Sequence, residues 1–108
     1  MITFDEFKKA EIKIGTILSA EKAPDTDKLL KLSINIGEET PRQILSGIAE
    51  YYPDPSILVG KQVPVLANLP TRTIRGLESQ GMVLYAVGGD FLVTVEPSRE
   101  IPPGTNIQ

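Results

Sequence analysis

Strict alternation of apolar and polar residues marks the clearest element of the chain. Leu30, Leu32, Ile34 and Ile36 fall on one side and Lys31, Ser33 and Asn35 on the other, the period-two signature of a strand with one buried and one wet face. The same period appears earlier, where Ile12 and Ile14 alternate with Glu11 and Lys13, and Ile17 follows beyond Gly15. A glycine inside such a run predicts a bulge or a sharp bend. A third strand starts at Arg42-Gln43-Ile44-Leu45 and ends at Ser46-Gly47. In a fourth, Val63, Val65 and Ala67 alternate with Pro64, Leu66 and Asn68. Pro64 has no ladder donor, which predicts an edge strand or a local irregularity. Met82 to Ala86 gives a fifth strand and Phe91 to Val95 a further one, before a loop-rich tail holding Pro97, Pro102, Pro103 and Gly104.

Helical signals are short. Thr3 followed by Glu6 fits a capping box, and the helix it starts, about 4–10, carries Phe4 and Phe7 on one face. Those two rings must be buried, either on their own domain or on a second subunit. Ile48 to Tyr52 predicts a single helical turn, stopped by Pro53 and Pro55. Five or six short strands, one short helix and frequent Gly/Pro punctuation predict a small all-β barrel. A five-stranded Greek-key barrel with a turn of helix between strands three and four is the OB architecture, and other small barrels fit the same pattern. The length of 108 residues makes this one domain, 1–108.

Composition removes most chemistry. Cysteine and histidine are both absent, which excludes disulfides, thiolate nucleophiles, imidazole metal ligands and any Ser–His base. Ser79 lies in Gly76-Leu77-Glu78-Ser79-Gln80-Gly81, which is not a nucleophile elbow, and Asp25 with Asp27 lacks the glycine and closing glutamate of a calcium loop. No phosphate-binding glycine loop occurs, no cofactor or metal is expected, and the chain is expected not to be an enzyme. No apolar run is long enough to span a bilayer, and the N-terminus lacks a leader pattern, so a cytoplasmic protein with no membrane partner is expected.

Charge then singles out one stretch. The chain carries 11 basic and 14 acidic residues, a net −3, yet Lys61 to Leu77 holds three basic residues and no acid. A basic segment within an acidic chain is a candidate for an anionic partner, although solvated arginines explain the same pattern. Lys31 on the wet strand face, Arg42, and Asn68, Arg72, Arg75 and Ser79 around the 68–79 loop lie on elements with which OB barrels bind oligonucleotides. Cationic side chains suit phosphate, and amides and hydroxyls suit base or ribose edges. Strands two and three offer no aromatic residue for stacking, which favours a reader of folded RNA shape over a single-strand binder. Tyr85 is expected in the core.

Six blocks carry a resemblance across the whole chain: Ile12-Lys13-Ile14-Gly15 with Ala20-Glu21-Lys22-Ala23-Pro24, Asp27-Lys28-Leu29-Leu30-Lys31-Leu32, Arg42-Gln43-Ile44-Leu45-Ser46-Gly47-Ile48, Leu58-Val59-Gly60-Lys61, Ala67-Asn68-Leu69, and Arg75-Gly76-Leu77-Glu78-Ser79-Gln80-Gly81-Met82. In order and spacing they resemble the tRNA-binding domain family. That family includes the C-terminal domain of methionyl-tRNA synthetases, free-standing structure-specific tRNA-binding proteins and a secretion-chaperone branch that binds unfolded polypeptides. The resemblance implies an OB barrel that binds the tRNA body without catalysis. It assigns tRNA contact to Lys31, Asn68, Ser79 and Met82, to which charge and position add Lys28, Arg42, Arg72 and Arg75. Met82 also reads as a core filler. The Pro-Arg that commonly follows A-N-L in the family is Pro70-Thr71-Arg72 here, one residue out of register.

The ends resemble the synthetase domain and the free-standing proteins, which open with a short helix, close with a strand and a P-P-G tail, and join at both ends in a twofold dimer. By that likeness Phe4, Phe7, Phe91, Val93 and Val95 form a homodimer interface. The further partner implied is a methionyl-tRNA synthetase catalytic subunit.

Overall fold

The computed structural model describes residues 1–108. It contains a helix α1 (Phe4–Lys8) and strands β1 (Ile12–Lys22), β2 (Leu30–Asn35), β3 (Arg42–Ser46), β4 (Gln62–Leu66), β5 (Arg72–Ile74), β6 (Leu77–Ser79), β7 (Met82–Val83), β8 (Tyr85–Val87), β9 (Leu92–Thr94) and β10 (Asn106–Ile107). Two 3₁₀ turns, Ala49–Tyr51 and Pro55–Leu58, bridge β3 to β4. The first lies within the helical turn expected at 48–52.

The eleven-residue β1 organises the barrel because it serves two partners. Its first half, Ile12–Thr16, runs antiparallel to β4. Its second half, from Thr16 to Lys22, pairs with β2. A bulge between Ile17 and Ser19 turns the strand and leaves Leu18 outside. Gly15 makes the coiling possible, since a Cβ there would lie 2.5 Å from Ile34 Cγ2 and 2.9 Å from Ile36 Cγ2. The sheet order is β3-β2-β1-β4-β7, with β10 added beside β1, an OB-type all-β barrel as expected. Ile17, Leu30, Leu32, Ile34, Ile44, Leu58, Val63 and Val65 fill its centre, fully buried. Each contributes roughly 1.5–3 kcal/mol of transfer free energy.

Closure of the barrel uses side chains as well as backbone. On the free edge of β3, the Gln80 amide donates to the Gln43 carbonyl at 2.8 Å. The Gln43 amide donates to Gln80 Oε1 at 3.0 Å, Gln43 Nε2 donates to the Glu78 carbonyl at 2.9 Å, and the Leu45 amide donates to Ser79 Oγ at 3.0 Å.

Several local expectations change. The helix ends at Lys8, earlier than residue 10. β4 is an interior strand and not an edge, but Pro64 does mark an irregularity. The Leu84 amide donates to its carbonyl at 3.0 Å while Pro64 has no N–H to return, and the β4–β7 register stops at Val83. The fifth strand is accordingly split at Leu84 into β7 and β8. The 68–79 loop contains a hairpin, β5–β6. The further strand at 91–95 is the three-residue β9, paired with β8.

The tail is more structured than its prolines suggest. The Gly104 amide donates to the Ile14 carbonyl at 2.7 Å and the Ile14 amide to the Thr105 carbonyl at 2.8 Å. These bonds satisfy the groups of Ile14 that face away from Pro64. Gly104 has φ +91°, and a Cβ there would lie 2.7 Å from the Ile36 carbonyl oxygen, so this position requires glycine. No helix is long and apolar enough to cross a membrane.

Candidate nucleic-acid interface

The residues singled out from the sequence divide into those with free polar groups and those whose groups are already engaged. Arg72 and Arg75 are exposed on the β5–β6 hairpin. Its turn, Ile74-Arg75-Gly76-Leu77, is two-residue, with φ +53° at Arg75 and +79° at Gly76. Positive φ at both central positions defines a type I′ turn, whose usual first residue is Asn, Asp or Gly. An arginine held there carries a left-handed strain of about 1 kcal/mol. The cation thus sits at the tip of a hairpin at some cost to stability, and residues held in such strained backbone cluster at functional sites.

Lys28 is exposed in the turn before β2. Lys31 stands on the outer face of β2, where its Nζ pairs with Glu21 Oε1 at 2.9 Å across the β1–β2 register. Around it, Ser19, Ser33 and Gln43 form a shallow polar hollow without further charge. Lys31 is therefore half-neutralised, and an anion must compete with Glu21 for it. Exposed pairs of this kind contribute little, so the competition is weak.

Arg42, Asn68 and Ser79 have their polar groups engaged within the chain. Arg42 donates through Nε and Nη2 to the two carboxylate oxygens of Glu38 at 2.8 Å each, and through Nη1 to the Ala67 and Gln80 carbonyls at 2.6 and 3.0 Å. These bonds hold the guanidinium inward and leave little of it for phosphate. The bidentate hydrogen bond from Arg42 also lowers the Glu38 pKa and, reciprocally, raises that of Arg42. The Asn68 amide donates to the Lys9 carbonyl at 2.6 Å, and its oxygen accepts from the Glu11 amide at 2.9 Å. It fastens the α1–β1 junction to the end of β4, with both ends of its carboxamide engaged. Ser79 is only 5% exposed, and its hydroxyl accepts from Leu45 and donates to the Gly81 carbonyl at 3.3 Å. All three shape the loops that carry the free cations.

Met82 is not a core filler; it is 44% exposed on β7. With Arg72, Leu69 and Pro70 it lines a groove between the hairpin and the barrel wall. Leu45, which points outward from β3, is only 8% exposed because the hairpin covers it. Tyr85 packs against the core, as expected, and also lines the groove wall. Its hydroxyl donates to Ser46 Oγ at 2.9 Å, and burial pushes its pKa up to about 12. Gln43, Ser46 and Gln80 fall within the family blocks, but nothing in the sequence showed that they pair with Glu78, Tyr85 and each other. No group of three or more His, Cys, Asp or Glu side chains gathers as a metal site.

The apolar ends are less unified than expected. Phe4 (72% exposed), Phe7, Ala10, Ile12 and Ile107 line one hollow beside α1. Its neighbour is thus β10, because the tail returns along β1, and not β9. Phe91, Val93 and Val95 are exposed separately, on and beside the β8–β9 hairpin.

A barrel of this topology is of the OB type, an architecture whose sheet face and loops bind oligonucleotides in other proteins. The chain belongs to the tRNA-binding domain family: the family model described as "Putative tRNA binding domain" matches residues 12–106. It is 46% identical to the methionine–tRNA ligase of Enterococcus faecalis over 107 residues, 98% of this chain but 16% of that protein. The chain thus spans about a sixth of the length of such curated relatives. It superposes on the MetRS related protein from Pyrococcus horikoshii with a TM-score of 0.92 at 36% identity, over 100% of this chain and 98% of that one. It also superposes on the chaperone CsaA of Bacillus anthracis with a TM-score of 0.87 at 31% identity, over 100% and 99% of the two chains.

Proposed function

We propose that this chain is a non-catalytic tRNA-binding module, cytoplasmic, that pairs as a homodimer and serves a methionyl-tRNA synthetase, as its C-terminal domain or as a separate subunit. The observation that carries the proposal is Arg75, a cation kept in left-handed backbone at a hairpin tip within a chain of the tRNA-binding domain family. Arg72 on the same hairpin, with Lys28 and Lys31 on adjoining elements, extends the basic surface. Such a surface suits the phosphate backbone of a folded RNA.

Titrating the protein with tRNA at several salt concentrations tests this. Affinity should fall steeply, with a log–log slope of about −0.7 to −0.9 per phosphate neutralised. Absence of tRNA binding at low salt defeats the proposal. The likeness to a chaperone of the same fold favours one second reading, binding of unfolded polypeptide, and retained affinity for an unfolded protein in that same experiment would select it.

Arg75→Asn should move two measurements in opposite directions. Asparagine accepts the left-handed turn more readily, so the unfolding midpoint should rise by the equivalent of up to about 1 kcal/mol. The tRNA affinity should drop and the salt slope shrink by about one contact. Unchanged affinity and slope would remove Arg75 from the interface.

A further inference from the structure

The groove between the β5–β6 hairpin and the barrel has a chemistry unlike that of the other concavities. It encloses about 360 Å³, at the lower end of the range for small-ligand sites. Its walls are mostly apolar, from Leu29, Leu69, Pro70, Met82 and Tyr85, and its one charged residue is Arg72. No carboxylate lines it, whereas three other hollows hold Glu11, Glu38 or Glu96 with Glu100. Ser46 lines the groove and is 7% exposed. Its oxygen accepts from Tyr85, which leaves its own proton free to donate to an acceptor in the groove.

We propose that this groove takes one unpaired nucleobase of the bound RNA, with the adjoining phosphate on Arg72; the inference rests on the tRNA-binding reading above. A base matches the lining on three counts. Its faces are apolar enough to lie against the Met82 thioether and the Leu69–Pro70 edge. Its rim carries acceptors for the Ser46 hydroxyl, and its phosphate supplies the charge that complements Arg72. An aliphatic peptide side chain would fill the same space but use neither the Arg72 charge nor the Ser46 donor. Unstacked bases of this kind occur in the loops of folded RNA, where proteins read them on pocket walls. The absence of aromatic residues from β2 and β3 then no longer argues against base contact, because the contact lies on β7 and on the hairpin.

The chain has two methionines, Met1 and Met82, so protein labelled with ¹³C at the methionine methyls reports on the groove directly. Unfractionated tRNA should shift the Met82 methyl upfield by the ring current of a base and leave Met1 unmoved. A fully paired RNA duplex should bind through charge without moving Met82. Met82→Ala should weaken tRNA binding about tenfold and leave the salt slope unchanged, since no phosphate contact is lost. If tRNA binds and the Met82 methyl does not move, the groove is not a base site, while the tRNA-binding reading stands. If tRNA fails to bind at all, both fall. An unfolded carrier such as reduced, carboxymethylated α-lactalbumin that moves Met82 when tRNA does not would make the groove a peptide site and overturn the proposal.

Discussion

Arg42→Ala is expected to lower the melting temperature by about 10–20 °C and to loosen the whole 67–81 loop, while leaving the salt dependence of tRNA binding nearly unchanged. One guanidinium joins three segments: Glu38 in the β2–β3 loop, Ala67 at the end of β4, and Gln80 at the barrel seam. The exposed pair with Glu38 contributes little by itself. The two carbonyls matter more, because Ala67 is buried and a buried acceptor left unpaired costs about 1–3 kcal/mol. A total of about 2–3 kcal/mol corresponds to the stated drop for a domain near 100 residues. Arg42→Lys should recover only part of it, since an ammonium cannot span Glu38 and both carbonyls as the planar fork does. Amide hydrogen exchange should accelerate at residues 68–80 in both variants. If instead the melting point holds and the salt slope falls by one contact, Arg42 reaches phosphate, and its inward bonds are not what matters.

What could be read in advance depended on whether a residue's partner lies near in sequence. β2 was legible because Leu30, Leu32, Ile34 and Ile36 alternate against a wet face, and its pairing with β3 across a short loop preserves that pattern. The capping box at Thr3 and Glu6 involves neighbours three apart, and both its bonds are present. The β5–β6 hairpin was not legible, because its strands are three residues each and its turn uses Arg-Gly where Asn-Gly or Asp-Gly is the usual signal. Nor was the seam, since closure through Gln43, Ser79 and Gln80 joins side chains to backbone and has no period. The site behaved likewise. Local charge identified Arg72 and Arg75, which are exposed. Asn68 has its partners 57 and 59 residues away, so nothing near it in the chain showed that both ends of its amide are taken. β10 spans two residues, too few for any pattern, yet it decides which surface lies beside α1.

That surface carries the second large effect: the wild type is expected to sediment at twice the chain mass, and the double variant Phe4→Asp, Phe7→Asp to run as a folded monomer near 11.8 kDa. The helix is tied to its own barrel by polar bonds, among them Asn68 to the Lys9 carbonyl and the Glu11 amide, so losing the rings does not release it. None of the α1 side chains is buried within the chain. Lys8 Nζ lies 5.2 Å from the Phe4 ring centroid, which screens only part of one ring. Together with Ile107 and Ile12, the two phenylalanines leave an apolar hollow that a twofold partner would cover with the same surface of its own. Burying each ring contributes roughly 1.5–3 kcal/mol per chain. Four rings across a twofold interface make a substantial share of a micromolar to nanomolar association. Introducing four carboxylates there adds like-charge repulsion to the lost burial. Dimerisation also sets two basic hairpins on one particle, so the monomeric variant should bind tRNA more weakly, by an avidity loss of about 10²-fold or more if both hairpins engage one RNA. Sedimentation equilibrium at micromolar concentration checks the mass. A wild type already near 11.8 kDa removes the dimer, and a double variant that stays dimeric moves the interface to the exposed Phe91, Val93 and Val95 around β9.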